Sequence, residues 1–239
     1  MRQEFRKGLD DVVEKTKGDI IITSHIMPDD DAMCSALAQK RILEKQHPNK
    51  TFRVIFSEKP IDAWNALLKS PDEVTWAAKE KIKATDGKER PGDIIDHVKS
   101  GDALICLDGG TFNRFSRLQE QLENNPPFNT IILDHHRDTP SPAGLSYVEP
   151  EANATAELLS GMHDIDSLDP DVCELLWHGI ISDTRNFSFE QDYTQVKAVA
   201  EKLQKRSGKS VEELSKRIKH SEQEKAYKEI FEKHTTKVQ

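Results

Sequence analysis

Cysteine is scarce in this sequence, and its few cysteines lie far apart. Cys34, Cys106 and Cys173 are odd in number, and none has another cysteine close to it in the chain. A disulfide framework or a zinc-finger spacing would need paired or closely spaced cysteines, so neither is present. We therefore expect the protein to work in a reducing compartment.

Long apolar runs are also missing. The amino-terminal stretch MRQEFRKGLDDVVEKTKGD contains no apolar segment of signal-peptide length. Nowhere do about 18 consecutive apolar residues follow one another, as a transmembrane helix would require. We expect a soluble, cytoplasmic protein without a membrane partner.

Basic residues are fewer than acidic ones. The chain has 34 Lys and Arg against 42 Asp and Glu, which gives a formal net charge of -8. An overall negative field argues against non-specific binding to nucleic acid or to an anionic membrane. It does not exclude a phosphate substrate, because bound cations reverse the sign of the charge at a site.

The sequence does contain short segments that are typical of buried strands. They are DIIITSH (19–25), TFRVIFSE (51–58), DALICLD (102–108), NTIILDHH (129–136) and GLSYVEP (144–150). Segments with helical spacing lie between the early ones, as in residues 32–45. Apolar strands that alternate with helices indicate a parallel sheet covered on both faces. We predict an α/β fold, a three-layer domain with a five-stranded, mainly parallel sheet, followed by a helical C-terminal tail.

Two further segments are predicted to be helical. From Ala154 onward the pattern is helical, and the carboxyl-terminal part is highly charged. We predict one domain over residues 1–190 and a charged helical tail or linker over 191–239, with no second globular domain evident. The segment IDAWNALLKSPDEVTWAAKE (61–80) is predicted to be a helical insertion, and its Trp64 is a candidate cap over a site entrance.

Acids and imidazoles follow the predicted strands. They are His25, Asp29 and Asp31 after the first strand, Asp108 after the third, Asp134, His135 and His136 after the fourth, and Asp183 at the end of a later helix. In open parallel sheets, sites form beyond the carboxyl ends of the strands. A cluster of carboxylates there would repel itself when empty, and a divalent cation would remove the conflict.

The ligand types narrow the choice of metal. Carboxylate and imidazole without thiolate suit manganese, magnesium, iron, cobalt or zinc, whereas the imidazoles argue against a calcium cage. Six ligands around a shared carboxylate suffice for two ions about 3.5–4 Å apart, as in phosphoryl-transfer sites. Such a pair holds a hydroxide nucleophile and neutralises the phosphate under attack, so the predicted chemistry is hydrolytic.

Four motifs occur in a fixed order: HIMPDDDA, LICLDGG, LDHH and GIISDTRNF. Together they resemble the DHH phosphoesterase superfamily, which includes the exonuclease RecJ, nano-RNases, cyclic-dinucleotide phosphodiesterases and manganese family II inorganic pyrophosphatases. The resemblance covers about residues 18–190, and VEPEANATAELL (148–159) resembles the nano-RNase and cyclic-dinucleotide branch. It implies a DHH-type catalytic domain over residues 1–190.

The resemblance also implies a role for each site residue. Its metal ligands are His25 and Asp29 for one ion, Asp31, His135 and Asp183 for the other, and Asp108 as the bridge. His136 is implied to be catalytic and to bind substrate, either as a charge stabiliser or as a proton donor. Asp134 is implied to accept a hydrogen bond that orients a ligand. The implied cofactors are two divalent cations, Mn²⁺ first, with Mg²⁺ or Co²⁺ as alternatives.

The implied activity is that of a metal-dependent phosphoesterase that cleaves short oligonucleotides or dinucleotides. The alternatives are hydrolysis of pyrophosphate or a small phosphomonoester, and a nucleotide-binding or scaffold module without turnover. The implied partner is a small nucleotide or a short single-stranded oligonucleotide. The charged C-terminal helices are candidate contacts for a homodimer or a partner subunit. The glycine- and histidine-rich run of the superfamily's second domain is not evident in the sequence.

Three positions depart from the superfamily pattern, which usually has glycine at each. We expect Asp30 to point into solvent and Cys34 to be a small packing residue, with a soft ligand or redox-sensitive thiol as the alternative for Cys34. Arg185 is either a guanidinium fork for a substrate phosphate or an exposed basic residue. Arg114 and Arg137 are weaker candidates for the same fork. The remaining histidines are predicted to be surface or packing residues: His47, His97, His163, His178, His220 and His234.

Overall fold

The computed structural model describes residues 1–58, 67–84, 87–124, 129–138, 140–188, 192–210 and 213. Its strands are β1 (Ile20–Ser24), β2 (Phe52–Phe56), β3 (Val74–Trp76), β4 (Lys81–Lys83), β5 (Glu89–Pro91), β6 (Ala103–Leu107), β7 (Asn129–Asp134) and β8 (Leu145–Val148). Six of them form one sheet in the order β3-β2-β1-β6-β7-β8, while β4 and β5 pair separately as an antiparallel hairpin. Each neighbouring pair in the large sheet is parallel. The predicted α/β class is confirmed, with six strands rather than five.

The additional strand lies in the segment that was predicted to be a helical insertion. Within that segment, residues 71–73 and 77–79 form short 3-10 helices and residues 74–76 form β3. The strand adds to the sheet edge through register pairs such as Val54 with Val74. The helical prediction is wrong there, because the β-branched Val74 and Thr75 followed by Trp76 suit a sheet edge better than a helix. Trp64 and its proposed capping role lie outside the described residues.

Helices cover both faces of the sheet. They are α1 (Arg2–Lys15), α2 (Asp30–Gln46), α3 (Phe112–Phe115), α4 (Gln119–Asn124), α5 (Thr155–Gly161), α6 (Pro170–Asp183) and α7 (Thr194–Ser207). Alternation along the central strand separates the two faces: Ile20 and Ile22 belong to the larger apolar cluster and Ile21 to the smaller one. The predicted three layers are therefore present. Of the described helices, none combines the length and the apolar character that a bilayer span requires.

Helix α7 lies within the predicted C-terminal tail. It is helical as expected, and Val196, Ala200 and Leu203 on one side of it are buried in the larger apolar cluster. Its positively charged end, with Lys205 and Arg206 in the last turn, suits the negative end of the helix dipole. The described part of the tail therefore packs on the domain, and the division at residue 190 stays a prediction.

Candidate metal centre

The three central strands bring the predicted ligands to one edge of the sheet. β1 lies beside β6, which lies beside β7, and their ends are in register through Ser24, Leu107 and Leu133. Asp108 therefore lies between the chain segments that follow β1 and β7. Its φ of 59° is in the left-handed region, which aspartate tolerates better than most residues.

The carboxylate of Asp108 faces two imidazoles at once. Its Oδ2 lies 3.5 Å from Nε2 of His25, and its Oδ1 lies 3.3 Å from Nε2 of His135. The residue is almost completely buried, and Oδ1 also accepts a hydrogen bond of 3.0 Å from the hydroxyl of Thr155. This orientation is the one that a carboxylate shared between two cations would need.

One group of candidate ligands consists of His25, Asp29 and Asp108, and we call it the first cluster. Asp29 is the N-cap of α2, where its Oδ1 accepts a hydrogen bond of 3.0 Å from the backbone N–H of Ala32. Its other oxygen, Oδ2, lies 3.8 Å from Nε2 of His25. The cap therefore fixes one carboxylate oxygen and leaves the other directed toward the cluster.

A second group consists of Asp31, His135 and Asp183, and we call it the second cluster. Nε2 of His135 lies 3.2 Å from Oδ2 of Asp183 at the end of α6. Nδ1 of the same ring lies 3.3 Å from the backbone carbonyl of Ala152, which accepts from Nδ1–H. In that tautomer the lone pair of Nε2 faces the carboxylates, as metal binding requires.

Asp31 is held on several sides although it is fully buried. Its Oδ2 accepts from the backbone N–H of Thr155 at 2.7 Å, and its Oδ1 accepts from that of Ala156 at 3.0 Å. The hydroxyl of Ser35 donates to Oδ1 at 3.2 Å. These donors compensate part of the cost of burying a carboxylate and fix its direction.

The side chains fit a divalent cation. Nε2 of His135 is buried and has no hydrogen-bond partner among the described residues, although carboxylate oxygens of Asp108 and Asp183 lie within 3.3 Å of it. A nitrogen that approaches two carboxylates without hydrogen-bond alignment is the arrangement expected around a shared cation. The mixture of imidazole and carboxylate donors suits Mn²⁺, Mg²⁺ or Co²⁺ better than calcium.

The charges of the site conflict with one another. Burial lowers the pKa of His135, but the carboxylates of Asp108 and Asp183 outweigh burial and raise that pKa to about 11. Burial also lowers the pKa of His25, whose two acidic neighbours raise it to about 9. The pKa of Asp31 is raised by burial and then by the charges of Asp108 and Asp183. A cation would relieve this repulsion among carboxylates.

His136 lies beside these clusters in a different environment. Its Nδ1 lies 2.7 Å from Oδ1 of the fully buried Asp134, so Nδ1–H donates to that carboxylate. Its Nε2 lies 3.3 Å from a guanidinium nitrogen of Arg114, and Nδ1 lies 3.8 Å from Asp108. Asp134 therefore contacts His136, and no ligand group among the described residues includes Asp134. His136 itself forms a third group with Asp108 and His135. Arg114, a weak candidate from the sequence, is brought directly to the site.

Arg185 has a different setting. It is exposed, two residues after Asp183, and its φ of 46° begins a run of three left-handed residues that ends at Phe187. Three consecutive residues of this kind are rare outside glycine, and such strain is concentrated at functional sites. The role of Arg185 as a phosphate fork stays a prediction.

Two expectations about the departures can be compared with the structure. Asp30 does not point into solvent: only 8% of it is exposed, and its Oδ2 lies 3.6 Å from Nε2 of His178 on α6. The expectation is wrong because Asp30 is buried against α6. The sequence could not predict this contact, since His178 lies more than a hundred residues away from Asp30 in the chain. Cys34 is fully buried in the larger apolar cluster, as expected of a packing residue.

Sequence reasoning missed three contacts around the ligands. Thr155 binds Asp108, the backbone of Ala156 binds Asp31, and His178 approaches Asp30. Thr155 and Ala156 lie within the segment ANATAELL, which resembles the nano-RNase and cyclic-dinucleotide branch. That resemblance indicates that the segment belongs to the site, but it does not predict which contacts single residues make. His178 gave no signal, because it lies inside an apolar helix.

Comparison with known proteins adds a family and a fold. A model of the DHH family, N-terminal domain, matches residues 19–180. The chain is similar to a probable bifunctional oligoribonuclease and PAP phosphatase NrnA of Streptococcus mutans, at 27% identity over 78% of this chain and 52% of that protein. It is also similar to the cyclic-di-AMP phosphodiesterase PdeA of Listeria monocytogenes, at 24% identity over 71% of this chain and 25% of that protein.

Among solved structures, an exopolyphosphatase-related protein from Bacteroides fragilis has the same fold. The TM-score is 0.73 at 19% identity, over 90% of this chain and 60% of that one. The chain thus spans about half the length of the Streptococcus mutans relative and a quarter of the Listeria one.

Proposed function

Because the chain belongs to the DHH family, we propose that it is a divalent-metal-dependent phosphohydrolase that cleaves phosphodiester bonds of short oligonucleotides or dinucleotides. The observation that carries the proposal is the position of Asp108, whose two carboxylate oxygens face the imidazoles of His25 and His135. A carboxylate between two half-sites is the central element of a dinuclear centre.

The proposed metal ligands divide between the two clusters. The first cluster would hold one ion through His25 and Asp29, and the second would hold the other through Asp31, His135 and Asp183. Asp108 would serve both ions. We propose Mn²⁺ as the metal, because the donors combine imidazole with several carboxylates and include no thiolate.

Each part of the site then has a chemical task. Two cations held by these residues would supply a hydroxide nucleophile at neutral pH and would neutralise the oxygens of the phosphate under attack. Asp134 orients the ring of His136 through the hydrogen bond at Nδ1 and leaves Nε2 beside Arg114. We propose that His136 stabilises charge on the phosphate or gives a proton to the leaving oxygen. Arg114 and Arg185 are proposed to bind substrate phosphate oxygens.

The substrate class rests on the relatives. The Streptococcus protein is named an oligoribonuclease and the Listeria protein a cyclic-di-AMP phosphodiesterase, so both names refer to nucleotide phosphodiesters. We propose a small nucleotide or a short single-stranded oligonucleotide as substrate. We further propose that residues 1–190 form the catalytic unit and that helices after residue 190 serve contacts with a second copy or a partner subunit.

A second candidate activity is hydrolysis of a nucleotide phosphomonoester. It is favoured by the name of the Streptococcus mutans relative, which is also called a PAP phosphatase. A dinuclear site that activates a hydroxide can attack either a diester or a terminal phosphate, so the metal ligands alone do not separate the two activities.

The test is a competition among substrates. The protein is loaded with Mn²⁺ and incubated with an equimolar mixture of 5′-phosphorylated dinucleotide, a five-nucleotide RNA, PAP and pyrophosphate, and the products are separated by chromatography. Release of mononucleotides from the dinucleotide or the RNA supports the main proposal. Release of inorganic phosphate from PAP alone favours the second candidate. Survival of all four substrates on metal-loaded protein contradicts both and indicates a binding module.

A further inference from the structure

His178 is a buried histidine without a use in the proposed mechanism. It lies in the middle of α6 with 3% of its surface exposed. Neither ring nitrogen has a hydrogen-bond partner within the part of the chain that the structure describes. Buried polar groups without partners are costly and therefore rare, so such a ring calls for an explanation.

The nearest acidic group to this ring is Asp30. Oδ2 of Asp30 lies 3.6 Å from Nε2 of His178, slightly beyond hydrogen-bond distance. The same oxygen lies 3.4 Å from the hydroxyl of Ser182, which donates to it. His178 and Ser182 are four residues apart on α6, so both lie on the helix face that meets Asp30. A small shift of either side chain would complete the contact between imidazole and carboxylate.

The contact joins two elements that together position three of the six proposed ligands. Asp30 is the first residue of α2 and lies between Asp29 and Asp31. On the other side, α6 ends at Asp183, directly after Ser182. The carboxylate of Asp30 belongs to neither cluster among the described residues, because it is directed toward α6. It is placed to hold the ligands without binding the metal.

We propose that Asp30 and His178 form a buried positioning pair that holds the first turn of α2 against α6. In this way the pair fixes Asp29 and Asp31 relative to Asp183. The inference rests on the proposed function and deepens it, because it assigns residues that touch neither metal nor substrate but set the geometry of both metal positions.

The pair predicts a specific pattern of manganese affinities. His178→Phe keeps an aromatic ring but removes the donor, and we expect it to weaken Mn²⁺ binding by roughly 10- to 100-fold, as is typical for partners that orient ligands. His178→Gln places an amide N–H near the position of Nε2 and should restore most of the affinity. Asp30→Ala should weaken binding to a similar degree as His178→Phe.

The two changes should also depend on each other. If the residues act through one contact, the double variant Asp30→Ala/His178→Phe binds Mn²⁺ no more weakly than the weaker single variant. The control is His163→Phe, which removes a histidine from the loop between α5 and α6, outside all the ligand groups of the described chain. It should leave the affinity unchanged.

The experiment is calorimetric titration of Mn²⁺ into each metal-free variant, below its thermal midpoint and at one pH. If His178→Phe does not fold, Asp30→Ala and His178→Gln carry the comparison. Wild-type affinity in Asp30→Ala and His178→Phe, or fully additive losses in the double variant, would overturn the pair. If the wild-type protein binds Mn²⁺ but cleaves none of the four substrates, the proposed function is refuted instead. The comparison of Mn²⁺ affinities then still tests the positioning pair.

Discussion

Asp108 combines an unusual backbone with an unusual side-chain position. Its left-handed φ of 59° directs the carboxylate between two imidazoles. Asparagine tolerates the same backbone region about as well as aspartate does. A neutral replacement of nearly the same shape is therefore available at this position.

We expect Asp108→Asn to keep the fold and lose the metal centre. The amide retains the backbone preference but removes the charge that two cations would share, so turnover should fall by more than about 100-fold, beyond the usual effect of losing an outer partner. Activity is measured on the dinucleotide, and circular dichroism checks the fold. A folded Asp108→Asn variant with wild-type turnover would refute the bridging role.

His163 gives a prediction about stability and pH. Burial lowers its pKa to about 4, and the charge of Arg6 adds to the effect. In the unfolded chain the pKa of histidine is near 6.5. Between pH 4 and pH 6.5, the unfolded state therefore binds a proton at His163 that the folded state does not bind. His163 therefore does not reduce the free energy of unfolding above pH 6.5, and it reduces that free energy progressively as the pH falls toward 4.

Between pH 7.5 and 5, this histidine should cost the folded protein ~2 kcal/mol. His163→Gln removes the titrating group, so urea denaturation should show a smaller loss in the variant than in the wild type over the same interval. Parallel losses in the two proteins would show that His163 is not the group responsible.

At the scale of single residues, the candidate ligands could be predicted from the sequence better than the contacts that surround them. The candidate ligands were predictable because acids and imidazoles follow apolar strands, and the structure brings seven of these residues into three adjoining groups. The burial of Asp30 was not predictable, since its neighbours on α6 are distant in sequence. The left-handed conformation at Arg185 also has no local signal, because arginine does not favour it.

The close approach of α2 and α6 depends on Gly179, which has no side chain. A Cβ at Gly179 would lie 2.6 Å from Oδ1 of Asp31 and 2.8 Å from Cβ of Ala156. Both distances are too short for non-bonded atoms, and neither neighbour is free to move, because Asp31 accepts hydrogen bonds from the start of α5. The glycine thus allows three elements to meet at the second cluster.

Gly179→Ala should therefore affect stability and metal binding together. We expect a loss of about 1–3 kcal/mol in the free energy of unfolding, typical of overpacking, with weaker Mn²⁺ binding because the displaced atom belongs to Asp31. Denaturant titration and calorimetry measure the two effects. Gly144→Ala is the matched control, since the nearest atom to its new Cβ, the carbonyl oxygen of Thr130, lies 3.5 Å away. Equal behaviour of the two variants would contradict the steric argument.

Elements were predictable where they are long or central. The five apolar segments correspond to β1, β2, β6, β7 and β8. Four of them were predictable because buried parallel strands are nearly continuous in apolar residues, whereas β8 is a partly exposed edge strand. β3 was missed because it is three residues long at a sheet edge, where packing rather than local pattern decides. The hairpin of β4 and β5 was missed because each strand has only three residues and most of those residues are charged.

For the whole molecule, the repulsion within the site links folding to metal binding. The unfolded chain cannot bring the candidate ligands from three strands and two helices together, so metal would bind the folded state selectively. The net charge of -8 places further negative charge on the folded protein. Binding of cations should therefore stabilise the whole domain.

We expect Mn²⁺ to raise the thermal midpoint of the wild type. At a free concentration of about 100 times Kd, the gain is ~2.7 kcal/mol, which corresponds to a shift of roughly 5 °C or more for a chain of this size. Differential scanning calorimetry with and without Mn²⁺ measures the shift. Asp108→Asn should show little of it, and an unchanged wild-type midpoint in saturating Mn²⁺ would contradict the proposed centre.

The spread of the ligands along the chain has a consequence for biosynthesis. The first cluster is complete once Asp108 has left the ribosome, whereas the second waits for Asp183 at the end of α6. At ~5–20 residues per second, translation from His25 to Asp183 takes roughly 10 to 30 seconds. The two candidate half-sites are thus finished in a fixed order during synthesis, and the proposed pair of cations would be bound only after the last long helix of the site has emerged.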